Sequence, residues 1–151
     1  MAVDPSSKKM GWALYENGQY RKSGVISPES FEDAVGKCGK VVDGLKALDW
    51  LVIEDTFYGK NIKTLKVLER FKAIFPVLAA VKFVGVVTET VTPNQWQSKM
   101  LGSSKNMDRK TRKQQSILVA SDAAKKQIWD DNEADAVNIG RYFIIYGKAN
   151  K

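Results

Sequence analysis

Apolar and polar positions alternate in short blocks over the first part of the chain. Apolar segments that include Val3, Gly11–Tyr15 and Tyr20–Ile26 are separated by polar, turn-rich stretches. The second separation contains the pair Asn17 and Gly18, which favours a tight hairpin. The pattern predicts three antiparallel strands at the beginning of the domain.

Helical and strand patterns alternate over the rest of the chain. Helical spacing of apolar residues predicts helices over about 27–48, 62–74, 93–100, 108–125 and from 130 or 131 to 144. Pro76 either kinks the second helix or lies in a new turn. The continuous apolar run Trp50–Ile53 predicts a strand of the kind covered on both faces, and Val84–Val91 is predicted to form another strand. The order predicts an α/β fold with a mixed five-stranded sheet and helices on both faces, in one domain over residues 1–151.

Composition excludes several kinds of chemistry. The chain of 151 residues has no histidine and a single cysteine, Cys38, so histidine bases, Ser-His-Asp triads and cysteine-cluster zinc sites are ruled out. The net charge of +7 favours a polyanionic partner such as nucleic acid, although a merely basic surface is the alternative. The longest apolar stretch, 74–81, is too short for a membrane span, and Met1–Asp4 is not a signal peptide. We expect a cytoplasmic protein with no membrane partner and no small-molecule cofactor.

Four carboxylates lie where they can form a cluster. Asp4 and Glu54 directly follow predicted strands, so they can meet at one edge of the sheet, and Asp131 and Asp135 share one helix face. The alternative is that each acid caps a turn or helix, which explains Asp130 and Asp131 well and Asp135 poorly. Clustered carboxylates repel one another unless a hard cation such as Mg2+ or Mn2+ neutralises them. The pattern therefore indicates a two-metal nuclease site.

Three segments together resemble the motifs of RuvC-type Holliday junction resolvases. Val3–Ala13 resembles the first motif, an apolar strand with an aspartate, Pro, Ser, Gly and an aromatic residue. Val52–Asn61 resembles the second motif, and Glu133–Gly140 resembles the closing one. Their order and spacing agree with the family, and the resemblance covers nearly all of the chain. The short, lysine-rich form looks most like the RuvC proteins of bacteriophages.

The resemblance implies a ribonuclease H-like fold and a homodimeric crossover-junction endodeoxyribonuclease of DNA recombination and repair. Such enzymes nick two strands of a four-way junction with four acidic residues and two Mg2+ ions per site, and we expect Mn2+ to substitute. Asp4, Glu54 and Asp135 match three of the acids. The family's fourth position falls on Asn132, so we expect the preceding Asp131 to bind metal, with Asn132 or a water as the alternative. Few residues precede Asp4, so the first strand is expected to be short.

Two segments are predicted to touch DNA. The densest basic patch can neutralise backbone phosphates, with a solvated helix face as the alternative; it consists of Lys105, Arg109, Lys110, Arg112 and Lys113. The resemblance also implies a catalytic, base-contacting role for Lys110. Phe57 and Tyr58, followed by Lys60, place an aromatic where it can stack on an unpaired base, although Phe57 can equally be core. The tryptophans are interpreted as mostly structural: Trp12, Trp50, Trp96 and Trp129.

Three other functions compete with a resolvase. A nucleotide-binding ATPase of the actin and sugar-kinase type shares an aspartate in its first hairpin but needs a second domain. A catalytically silent junction-binding protein and a less selective nuclease for flaps and forks both remain open. For the dimer, the apolar side of the helix over Asn61–Phe75, with Leu65, Leu68 and Phe71, is the suspected interface.

Overall fold

A mixed sheet forms the centre of the molecule. The computed structural model describes residues 1–55, 61–102 and 107–147. In chain order the elements are β1 (Ala2–Asp4), β2 (Met10–Glu16), β3 (Gln19–Ile26), α1 (Phe31–Asp43), β4 (Trp50–Glu54), α2 (Ile62–Lys72), α3 (Ile74–Lys82), β5 (Val87–Val91), α4 (Pro93–Met100), α5 (Arg109–Ala124) and α6 (Asp131–Tyr146). The five strands are ordered β3-β2-β1-β4-β5. β1 pairs antiparallel with β2 and parallel with β4, which confirms the predicted mixed sheet.

Alternation along the strands sorts side chains between two helical layers. Val3 and Ile53 lie in the core that contains residues of α1 and α3. Ala2 and Val52 lie on the other face, in the core that contains residues of α4 and α6. Because successive side chains of a strand point to opposite faces, Asp4 and Glu54 face the α4–α6 layer.

Two glycines allow α6 to lie directly on the sheet. A Cβ atom on Gly11 of β2 would lie 1.8 Å from the carbonyl oxygen of Asn132, at the start of α6. A Cβ atom on Gly140 would lie 2.3 Å from the ring of Tyr15, whose hydroxyl donates to the Val137 carbonyl at 2.6 Å. The first turn of α6 is therefore seated on β2, next to β1.

Several boundaries differ from the sequence prediction. α1 begins at Phe31, because the Ser30 side chain accepts from the Asp33 amide and caps the helix there. It ends at Asp43, before Gly44, so the segment up to Leu48 is not helical. Pro76 lies in the first turn of the separate helix α3, where its missing N–H needs no helical acceptor.

Part of the suspected dimer surface is buried in the hydrophobic core. Phe71 of α2 is 9% exposed and packs edge to face against Phe31, with ring centroids 5.4 Å apart. The exposed apolar side chains of this region lie on α2, at Ile62 and Val67, and on and after α3, at Val77, Val81 and Val84. The homodimer stays a prediction.

No helix in the described ranges is long and apolar enough to cross a membrane.

Gly11→Ala is expected to destabilise the fold. The added methyl would collide with backbone of α6, which cannot move aside as a flexible side chain can, so the free energy of unfolding should fall by ~2–3 kcal/mol. Urea denaturation measures the change. Gly36→Ala is the control, because nothing lies within 4 Å of that Cβ position in α1 and alanine favours a helix. Equal stability of Gly11→Ala and the unmodified protein would contradict the close seating of α6.

Candidate active site

Asp4 and Glu54 meet at the ends of two neighbouring parallel strands. Asp4 is 9% exposed, and its carboxyl hydrogen-bonds to Glu54. The Glu54 carboxylate also accepts from the indole Nε1 of Trp96 at 2.6 Å, and Trp96 is fully buried in α4. The strand ends thus hold two carboxyl groups in contact, within a largely water-excluded edge of the sheet.

Burial and mutual repulsion favour protonation of these acids. Burial first, and then the negative charges of Glu54 and Asp135, raise the pKa of Asp4 well above its usual value. Burial likewise raises the pKa of Glu54, while the hydrogen bond from Trp96 acts in the opposite direction. A protonated Asp4 donates its hydrogen bond to Glu54, which removes one of the repelling charges. These are the electrostatic conditions under which a cation is attracted.

The structure separates the acids of the last motif into two groups. Asp130 caps α6 and pairs with Lys9 at 2.8 Å, and Glu133 accepts from Ser23 of β3 at 2.5 Å. Asp131 and Asp135 instead act on the buried pair, since both raise the pKa of Asp4. The Asn132 amide donates to the Asp130 side chain at 3.0 Å. Asp131 is therefore, with Asp135, an acid of α6 whose charge acts on Asp4, and its metal-binding role, with Asn132 as the alternative, stays a prediction.

A buried polar network holds Asp135. Its carboxylate accepts a hydrogen bond from the Ser116 hydroxyl of α5, and Ser116 is 2% exposed. The Asn138 amide, fully buried one turn further along α6, donates to the Ser116 hydroxyl oxygen at 2.9 Å and to its carbonyl at 3.0 Å. Because Asn138 occupies the hydroxyl oxygen as an acceptor, the hydroxyl proton is directed to Asp135. Even so, burial raises the pKa of Asp135 to about 7.

The basic side chains of α5 divide between two surfaces. Lys113 forms an ion pair with Asp131. A concave surface next to this ion pair is lined by Arg109, Lys110, Lys113, Gln114, Ile117 and Asp131. Arg112 lies elsewhere, with its guanidinium 3.4 Å from the Gln97 side chain of α4. Among the basic residues predicted on this helix, Lys113 is the one paired with the acidic cluster, while Lys110 lines the adjoining surface and its catalytic role stays a prediction.

Four of the predicted DNA contacts lie outside the described residues. They are Phe57, Tyr58 and Lys60, in the segment that follows Glu54, and Lys105, before α5. Their proposed base and phosphate contacts stay predictions.

The four acids offer oxygen ligands of the kind that Mg2+ and Mn2+ prefer. Within residues 1–55, 61–102 and 107–147, no group of three or more such side chains is arranged closely enough to hold an ion. Trp96, Ser116 and Lys113 each contact a different carboxylate of this set. The donor chemistry of the four acids fits a hard divalent cation.

Comparison with solved structures identifies the fold. The chain superposes on Thermus thermophilus RuvC in complex with a Holliday junction substrate with a TM-score of 0.76, at 12% identity, over 98% of this chain and 93% of that one. It superposes on a second Thermus thermophilus RuvC structure with a TM-score of 0.71, at 14% identity, over 99% and 95% of the two chains. No family model and no curated protein matches the sequence. This chain thus has the ribonuclease H-like fold of RuvC, as the sequence motifs predict.

Sequence reasoning missed the residues that hold the acids. Trp96 was interpreted as structural, yet its indole N–H binds Glu54, and nothing in the sequence singled out Ser116 or Asn138. The structural interpretation of Trp129 is wrong, because this side chain is 82% exposed. The one available signal was its position, directly before the acidic start of the last helix.

The metal-free protein is expected to lose stability as pH rises. With the pKa of Asp135 raised to about 7, the folded state keeps a proton that the unfolded state releases near pH 4, so the stability of the folded state falls between about pH 4 and 7. In chelator, the stability of Asp135→Asn relative to the unmodified protein should therefore increase from pH 5 to pH 8. Thermal unfolding across this range measures it. The terminal amine, whose pKa is lowered to about 6, titrates in the opposite sense but is common to both proteins. A difference independent of pH would contradict the raised pKa.

Ser116→Ala is expected to lower the free energy of unfolding by ~1–3 kcal/mol, because it removes the hydroxyl that donates to the buried Asp135 carboxylate and one of the two acceptors of the buried Asn138 amide. Chemical denaturation at pH 7 measures the loss. Ser98→Ala provides the control, since that exposed hydroxyl of α4 donates only to the Gln95 carbonyl, at 3.2 Å. If both variants were equally stable, the network around Asp135 would not contribute to the fold.

Proposed function

We propose that this chain is a metal-dependent, structure-selective DNA endonuclease that nicks four-way junctions, with residues 1–151 as its single endonuclease domain. The observation that carries the proposal is the cluster of Asp4, Glu54, Asp131 and Asp135, in which burial and repulsion raise the pKa of three acids. A cluster of this kind favours a divalent cation, and the basic concave surface beside it favours a phosphate backbone.

The comparisons add support at the level of the fold. One of the two RuvC structures with this fold was solved with a Holliday junction substrate. The Asp4 and Glu54 positions at the ends of β1 and β4 are where the sequence motifs predict the metal-binding acids.

The four acids and Trp96 have different roles in the proposed reaction. Asp4, Glu54, Asp131 and Asp135 would hold two Mg2+ ions, or Mn2+ in their place. Bound there, the metal would supply an activated water and neutralise charge on the scissile phosphate and the leaving oxygen. Trp96 binds one oxygen of Glu54 by a hydrogen bond of 2.6 Å, which limits the rotation of this carboxylate.

Basic residues of α5 would position the DNA backbone. Arg109 and Lys110 line the concave surface and can neutralise phosphates next to the cluster. Lys113 lines the same surface, where it would neutralise a phosphate next to the cluster. Arg112 and the predicted contacts Phe57, Tyr58, Lys60 and Lys105 complete the proposed interface.

A homodimer would place two such sites on one junction, which is what symmetric nicking of two strands requires. A nuclease with this substrate would act in the cytoplasm of a bacterial cell, in DNA recombination and repair. A nuclease for flaps and forks, or a silent junction-binding protein, would share the interface and differ in cleavage.

The decisive experiment is cleavage of a labelled synthetic four-way junction. With Mg2+ or Mn2+ we expect paired nicks near the branch point and no cleavage in chelator or of a matched linear duplex. Asp4→Asn should reduce the rate by ~10³-fold or more, because it removes a charge from the metal-binding cluster. Asp43→Asn is the matched control, since that side chain is 81% exposed at the end of α1.

Each other outcome assigns a different function. Cleavage of flaps and forks at rates similar to the junction would replace the resolvase with a general branched-DNA nuclease. Tight junction binding without cleavage in either metal would refute the nuclease and leave the silent binding protein.

A further inference from the structure

The side chain of Trp129 lies at the protein surface, in the segment between α5 and α6. Its side chain is 82% exposed, although burying an indole normally stabilises a fold. The preceding residues Lys125, Lys126 and Gln127 are also exposed, and all are polar. The indole is therefore an isolated aromatic surface in polar surroundings, which differs from the apolar patch typical of a protein interface.

The backbone on both sides of Trp129 is fixed. Ile128 is 1% exposed, and its amide donates to the Ser121 hydroxyl at 3.0 Å. On the other side, Asp130 caps α6 and pairs with Lys9 at 2.8 Å. Because the backbone on both sides of the ring is already fixed, this segment loses little conformational entropy when the ring binds a ligand.

The position of Trp129 is next to the candidate active site. It lies two residues before Asp131, so the two Cα atoms are no more than ~7 Å apart. The Lys9–Asp130 ion pair ties this segment to the turn that follows Asp4. Trp129 thus flanks the cluster on the β2 side, whereas Glu54 is the last residue of β4, on the other side of β1.

We propose that the indole of Trp129 stacks on a nucleobase of the DNA strand bound at the candidate active site. The inference rests on the proposed function and adds a base-contacting residue to it. Lys8 and Lys9 are exposed on the neighbouring turn, where they can contact the phosphates that flank the stacked base. Every base has a π-face, so the contact would favour an unpaired or splayed base without selecting its identity.

Binding and tryptophan emission together test the proposal. The full chain would be titrated in chelator, so that no cleavage occurs, with a synthetic four-way junction and with a single strand of the same sequence. We expect Trp129→Ala to weaken binding about 5- to 150-fold and to abolish most of the emission change, while Trp129→Phe retains most of the affinity. Tyr146→Ala is the matched control, because it removes a 49% exposed aromatic at the far end of α6.

Two results would overturn the proposal while leaving the proposed function intact. One is a Trp129→Ala variant that binds both DNAs as tightly as the unmodified protein. The other is a loss of binding accompanied by a change in subunit association in sedimentation, which would make the indole a protein contact. If the unmodified protein bound neither DNA, the proposed function would fail together with the stacking role.

Discussion

The close contact between α6 and the sheet determines the geometry of everything else at the site. Gly11 and Gly140 remove the two side chains that would hold the helix away, and the Tyr15 hydroxyl bonds to its backbone. The helix is therefore set against β1 and β2 over most of its length. Since Asp131 and Asp135 belong to its first two turns, their distance from Asp4 follows from backbone packing and not from flexible side chains.

That packing brings together charges that oppose folding. Three of the acids have raised pKa values because burial and repulsion disfavour their ionised forms. The metal-free fold accommodates them through a proton on Asp4 and through the partners Trp96, Ser116 and Lys113. A bound cation would neutralise part of the same negative charge. The groups that stabilise the carboxylates in the metal-free fold would therefore compete with the ion for these carboxylates. In the proposed function, metal affinity and fold stability would be coupled through these few contacts.

The sheet and the strand-end acids could be predicted because their signals are local. Asp4 and Glu54 directly follow apolar runs, and the strand bounds are visible in the same few residues. The groups that hold the acids could not be predicted in this way. Trp96 lies 42 positions from Glu54, and Ser116 lies 19 positions from Asp135, so each contact depends on how distant elements pack. The exposure of Trp129 could not be predicted for a related reason. Tryptophan is usually buried, and its position before the last helix shows nothing about which residues pack around it.

One helix connects the buried and exposed parts of the site. On α5, Lys113 and Ser116 are one turn apart, and they contact the two acids of α6, Asp131 and Asp135. Arg109 lies one turn before Lys113, on the concave surface where a phosphate backbone can bind. Side chains of this single helix therefore link the surface proposed to bind DNA to the carboxylates, without an intervening loop. Asn138 strengthens the link between the two helices, because it ties Ser116 to α6 by two hydrogen bonds.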